Sequence, residues 1–221
     1  MIPTMTPIRD PALLTRLPTD EAEWPAVTQL SAMEVRDLAG LERCSALEVL
    51  ALSGCGDLDV SHLAGLARLE ALSISDSGLT SIAGLTGSTQ LGSFDLSRNL
   101  VTDLRPLLEM PNLSIIDVTG NPITDDSFNQ VLPKLQARGA FVQYSTRADW
   151  QLTIRLREAG LPFSVYRKQS KLRLFSPGLD HTTSPAFGHT VVTAAEIDRL
   201  LADDPAGIYA LFAKGEDNWQ I

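Results

Sequence analysis

Apolar residues return at a fixed interval through much of the chain. Leu47, Leu69, Leu91 and Leu113 stand 22 residues apart. Each opens a block with a second apolar position at Leu50, Leu72, Phe94 or Ile116 and a third at Leu52, Ile74, Leu96 or Val118. The block ends on Cys55, Ser77, Asn99 or Asn121. The same register holds further along: Leu38, Val60, Ile82 and Leu104 line up, as do Leu41, Leu63, Leu85 and Leu107. Carried backward to Pro25, it gives a degenerate first repeat with Thr28 and Leu30 at the strand and Met33 at the closing position. Five repeats result, starting at 25, 47, 69, 91 and 113.

The pattern L-x-x-L-x-L-x-x-N at a period in the twenties marks a leucine-rich repeat solenoid. It predicts short parallel strands near 49–52, 71–74, 93–96 and 115–118, with alternate residues packed inward and the others on a concave face. After each strand the chain must turn sharply. A buried Asn amide can satisfy the backbone groups that the turn leaves unpaired, which Cys55 and Ser77 do less well. On the return path, Val101, Leu104 and Leu107 lie three apart, a spacing suited to short 3₁₀ turns. The expected fold is α/β: a curved parallel sheet with a 3₁₀-rich convex side, followed by a small α+β extension.

The segment from Asn99 to Thr124 carries the core N-x-[VI]-x-D-L-x-P-L at Asn99, Val101, Asp103, Leu104, Pro106 and Leu107. It resembles the 22-residue repeats of bacterial internalins, and is similar to those of eukaryotic protein-phosphatase regulatory subunits of the same repeat class. The resemblance covers residues 25–144. It implies a solenoid and a binding role.

The flanks read differently. Residues 1–24 are rich in proline and form an N-terminal cap, with Leu13, Leu14, Leu17 and Trp24 as its apolar side chains. The last repeat departs from the pattern after Ile123. Phe128, Val131, Leu132 and Leu135 have helical spacing, Gly139 fits the position after a helix end, and 141–144 reads as one more strand. Residues 145–221 form the α+β extension. Trp150, Leu152, Ile154 and Leu156 alternate as in a strand, yet the Arg-Glu-Ala-Gly ending favours a helix over 149–159. A hairpin is expected around Gln169-Ser170, then a loop over 176–190, a helix capped by Thr193 and Glu196, and another starting at Pro205.

Charge narrows the partners. The net charge is −9, and residues 1–144 hold 18 Asp/Glu against 9 Lys/Arg, while 145–221 hold 9 of each. An acidic solenoid argues against nucleic acid. Two cysteines, Cys44 and Cys55, make no disulfide framework and are expected as buried thiols. The N-terminus lacks a secretory pattern and no run suits a membrane span, so the expectation is a cytoplasmic protein without membrane contact.

Candidate chemistry is sparse. There is no P-loop, no G-x-S-x-G and no H-E-x-x-H. Asp180, His181 and His189 share one loop and could serve as an acid/base group or metal site, but their spacing matches neither, and no cofactor is expected. Arg155, Arg157, Arg167, Lys168, Lys171 and Arg173 form a basic cluster, read first as solvated faces and otherwise as a second patch. The concave face is the stronger candidate. Its predicted side chains are Val49, Ala51, Ser53, Ala71, Ser73, Ser75, Ser93, Asp95, Ser97, Ile115, Asp117 and Thr119, with Asp76 and Arg98 at the rim. Asp95 and Asp117 should stand about 5 Å apart on neighbouring strands, and a basic group would relieve their repulsion. The expected function is binding of a protein that presents basic residues, not catalysis. The competing readings are an effector or toxin-related enzyme acting through residues 145–221, and an immunity-type inhibitor.

Overall fold

A computed structural model describes residues 6–177 and 189–214. Six short strands, β1 (Gln29–Met33), β2 (Val49–Ser53), β3 (Ala71–Ser75), β4 (Ser93–Asp95), β5 (Ile115–Asp117) and β6 (Phe141–Gln143), form one parallel sheet in chain order. From β2 to β5 the pairing keeps the 22-residue register: Val49 opposite Ala71, Ala71 opposite Ser93, Ser93 opposite Ile115. The final repeat is longer, and Ile115 pairs with Phe141. Leu50, Leu52, Leu72, Ile74, Phe94 and Leu96 point inward and are buried. The return path is built of 3₁₀ turns at Leu41–Arg43, Val60–Leu63, Ala83–Leu85 and Arg105–Glu109.

The first repeat departs from the sequence-based register. Gln29 pairs with Val49 and Met33 with Ser53, an offset of 20 residues. A left-handed residue follows each of β1 to β5, at Glu34, Gly54, Asp76, Arg98 and Gly120, with the same first offset. Val35, not Met33, therefore occupies the closing position; it is fully buried, while Met33 is exposed. Two residues are missing from the turn that follows β1, and the convex leucines come back into step afterwards. A periodicity read from the convex positions could not show this local deletion.

Repeats are stitched by the closing residues. Asn99 Nδ2 donates to the carbonyls of Ile74 (2.5 Å) and Leu96 (2.9 Å), and its Oδ1 accepts from the Leu79 amide at 3.2 Å. Asn121 repeats this one turn later, on Leu96, Val118 and the Val101 amide. Ser77 reaches only the Cys55 amide across repeats and its own Ser75 carbonyl. Cys44 and Cys55 are free and buried, as expected.

Both ends are closed. Asp10 caps the short helix α1 (Pro11–Leu14) through Oδ1, and its Oδ2 accepts from the amides of Arg36 and Asp37 in the first repeat. Leu13, Leu17 and Trp24 are buried, whereas Leu14 is 41% exposed, a correction to its expected capping role. In the last repeat a π turn (Ser127–Val131) runs into α2 (Leu132–Ala137). Ser127 Oγ takes the Leu104 amide and donates to the Thr102 carbonyl.

The extension begins with α3 (Arg147–Glu158), capped by Thr146. An antiparallel sheet follows, β7 (Ser164–Lys168), β8 (Lys171–Phe175) and β9 (Thr190–Val192), then α4 (Ala194–Asp203) and a 3₁₀ segment (Pro205–Lys214). Gln169 and Ser170 both have positive φ, as a two-residue hairpin turn requires. β9 begins at Thr190, the last residue of the expected loop, and was not expected as a strand. The alternation at residues 150–156 has a structural cause. Trp150 and Ile154, one turn apart, join the solenoid core; Leu152 and Leu156 join the core of the extension. A helix wedged between two cores buries both faces, and its apolar residues then alternate as in a strand.

Two outcomes follow. Leu96→Ala should cost roughly 2–5 kcal/mol in denaturant unfolding, because the cavity opens in the middle of the stack with repeats on both sides. A chain ended after Ser145 loses the Trp150 and Ile154 cover, so it should unfold at lower temperature and aggregate on size exclusion.

Candidate functional site

The outward residues of the strands form rows across the sheet. One row runs Gln29, Val49, Ala71, Ser93, Ile115 and Phe141; the next runs Ser31, Ala51, Ser73, Asp95, Asp117 and Gln143. Ser53, Ser75 and Thr119 continue at the strand ends and are half-buried. The chemistry concentrates at the C-terminal half. Ile115 is 56% exposed and Phe141 61% exposed, side by side in register. Beside them lie the paired positions Asp95 and Asp117.

The two carboxylates also serve the backbone. Asp95 Oδ1 accepts from the Ser97 amide at 2.8 Å and Oδ2 from Ser73 Oγ at 3.1 Å. Asp117 Oδ1 accepts from the Thr119 amide at 2.8 Å. Burial pushes the Asp117 carboxyl up, the Thr119 hydrogen bonds pull against this, and the neighbouring Asp95 charge adds to the rise. Replacing either acid with Ala would orphan a backbone amide; Asn removes the charge and keeps the acceptor.

Three expected site residues are placed elsewhere. Ser97 is buried (2% exposed), with its carbonyl accepting from the Asp76 amide, because the chain has already begun its turn. Asp76 and Arg98 form a two-pronged ion pair, Nε to Oδ1 and Nη2 to Oδ2, both 2.6 Å. Burial alone would lower the Arg98 pKa, but Asp76 more than offsets it. The extension covers this pair: the Arg98 guanidinium lies 5.3 Å from the Tyr166 ring centre, and His189 Nε2 is 3.4 Å from Asp76 Oδ1. Tyr166 Oη and His189 Nδ1 are 2.8 Å apart, and His189 stacks on Phe175. Gly120, at φ +80°, lets Tyr166 approach; a Cβ there would sit 3.3 Å from the tyrosine Cβ. The rim residues thus fasten the extension.

His189 belongs to that fastening, while Asp180 and His181 lie outside the described residues. The basic cluster does not assemble into a patch. Arg173 is buried and donates to the His189 carbonyl, Arg167 pairs with buried Asp149, and Arg155 pairs with Asp198. Among the described residues no group of three His, Cys, Asp or Glu could hold a metal, and no helix is long and apolar enough to cross a membrane.

Phe141, Gln143 and Tyr144 were not expected as site residues. Their strand stands 26 residues beyond β5 instead of 22, so the repeat period did not place them on the face. The signal was available in the alternation of 141–144. Next to them a polar recess of about 340 Å³ is lined by Thr119, Gln143, Tyr144, Thr146, Asp149 and Arg167. Asp149, at its base, is held by Arg167 and Thr146.

No protein-family model matches the chain, and no curated protein matches it. Among solved structures it is similar to internalin C2 of Listeria monocytogenes, with 20% identity, 69% of this chain and 80% of that one covered, and a TM-score of 0.45. It is also similar to the internalin inlF of Listeria monocytogenes, at 20% identity, covering 65% of this chain and 48% of that one, with a TM-score of 0.43.

The acid pair generates a pH prediction. Asp117 has a raised pKa in the fold, so its ionised form is disfavoured there. Asp117→Asn should therefore be more stable than the parent near neutrality by roughly 0.2–1 kcal/mol. That advantage should shrink as pH falls through the carboxylate range and Asp117 takes up its proton. Denaturant unfolding of both proteins between about pH 7 and 4 measures it.

Proposed function

We propose that the chain is a protein-interaction module that docks its partner on the concave face, over β4, β5 and β6. The observation that carries this reading is the exposed apolar pair Ile115 and Phe141 set against the acid pair Asp95 and Asp117. An aromatic anchor beside charged groups is the composition of an interface hot spot. Val49, Ala51, Ser53, Ser73, Ser75 and Ser93 keep the rest of the face low, so a partner backbone can approach closely. Thr119 and the recess beside Tyr144 supply hydrogen-bonding groups at its edge. The partner presents a Lys or Arg to the two acids, and an aliphatic or aromatic side chain to Phe141. Relief of the repulsion between Asp95 and Asp117 favours the bound state.

The face is also built for recognition without reorganisation. The side chains of β4 and β5 stand on strands paired on both sides, and β6 is paired with β5, so little backbone ordering is needed on binding. The acidic excess of residues 1–144 steers basic partners towards it and repels phosphate backbones.

Two double variants test the reading: Ile115→Ser with Phe141→Ser, and Asp95→Asn with Asp117→Asn. A partner captured by the intact chain should lose affinity to each, by roughly 2–5 kcal/mol for the acid pair if the charges are desolvated in the complex. Titration calorimetry should also show weaker salt dependence for the Asn pair. Unchanged affinity for both variants, with folding intact, would place the interface elsewhere.

A further inference from the structure

A second recess, unrelated to the concave face, lies where the repeat turns meet α3. It is an open groove of about 500 Å³. Leu100, Pro122 and Ile123 line it from successive repeats, and Ile154 and Arg157 line it from α3. This volume is in the range of small-molecule sites.

The repeat wall offers little to a peptide main chain. The Leu100 amide donates to the Leu79 carbonyl, the Val101 amide to Asn121 Oδ1, and the Thr124 amide to the Thr102 carbonyl. The Thr80 hydroxyl donates to Asp57 and the Thr124 hydroxyl to Ser127. These donors are already engaged, so an extended peptide laid there would leave its own carbonyls poorly paired, which costs free energy when buried. An occupant with an apolar body and no internal polar groups loses nothing.

Arg157 supplies a cation to the recess. It is half-buried, and among the described residues it makes no salt bridge and no side-chain hydrogen bond. The other arginines of α3 contrast with it: Arg147 pairs with Asp125 and Arg155 with Asp198. Burial lowers the Arg157 pKa, with no nearby carboxylate opposing the effect. Glu158 also lines the recess, but it is exposed, where solvent screens it. A guanidinium partly stripped of water beside an apolar recess is complementary to a single carboxylate that brings its own apolar chain.

We propose that this recess binds a medium-chain acyl carboxylate, its chain over Leu100, Ile123 and Ile154 and its carboxylate on Arg157. The site is separate from the protein-binding face, and either reading can fail without the other.

The test uses the intact chain and decanoate, titrated below its micelle concentration at neutral pH. Binding should saturate at one equivalent, with decanol and decyltrimethylammonium about tenfold weaker or more, since both lack the charge-assisted bond. Arg157→Gln should weaken decanoate by a similar factor, Arg157→Lys by less, and Glu158→Gln should tighten it. Asp95→Asn with Asp117→Asn should leave it unchanged. The ligand series needs no mutation and so stands apart from any folding effect. Decanol binding as tightly as decanoate, undiminished binding by folded Arg157→Gln, or no saturable binding at all would each overturn the proposal.

Discussion

Every repeat of this solenoid must leave its strand through one left-handed residue, and that turn strands carbonyl groups inside the stack. The amide of the closing asparagine answers the problem across the repeat boundary. Asn99 and Asn121 donate to the preceding strand end and accept from the preceding turn. Neither repeat can satisfy its buried backbone alone, so stacking is a hydrogen-bonding requirement as well as a hydrophobic one. The consequence reaches the concave face. Asp95 and Asp117 sit just before these turns, and their acceptor bonds to Ser97 and Thr119 depend on the turn being held.

The same turn explains how the extension attaches. Left-handed backbone suits glycine, as at Gly54 and Gly120, and is costly for other residues. Asp76 and Arg98 nevertheless occupy it on consecutive repeats. There their side chains project together from the strand ends and form the ion pair that Tyr166 and His189 cover. Gly120, on the next repeat, supplies the clearance for Tyr166. The three adjacent left-handed positions thus make a seat: two charged residues that accept backbone strain, and one glycine that permits close approach.

Legibility in the sequence followed dimension. Repeats contact only their neighbours, so a one-dimensional period carried the sheet, its register from β2 to β5, and the inward leucines. The chain is less readable wherever contacts leave that line. The two-residue deletion after β1 was hidden because Leu38 and Leu41 stay in step on the convex side. Ser97 looked like a face residue by alternation, but the turn rotates it inward. Asp76 and Arg98 looked like a free rim pair because Tyr166 and His189 come from distant sequence. β9 was missed because its three residues pair with β8 across a long connection. The helical reading of α3 survived only through its ending, since two cores gave it the periodicity of a strand. On the candidate site, Asp95, Asp117 and Ile115 were legible from the period. Phe141 was not, because the lengthened last repeat moved it four residues out of register.

These features make the concave face part of a braced unit. α3 contributes Trp150 and Ile154 to the solenoid core and Leu152 and Leu156 to the core of the extension. Loosening the extension would therefore uncover the last repeats and release the strand ends at Asp76 and Arg98 together. β5 and β6 carry Ile115, Asp117 and Phe141 in those last repeats. Such a surface pays its ordering cost during folding, so the strands that carry the apolar pair and the acid pair are already in place in the free protein. The recess at Arg157 depends on the same helix, because its second wall exists only where α3 is docked. Both surfaces therefore trace back to one wedge of helix between two cores.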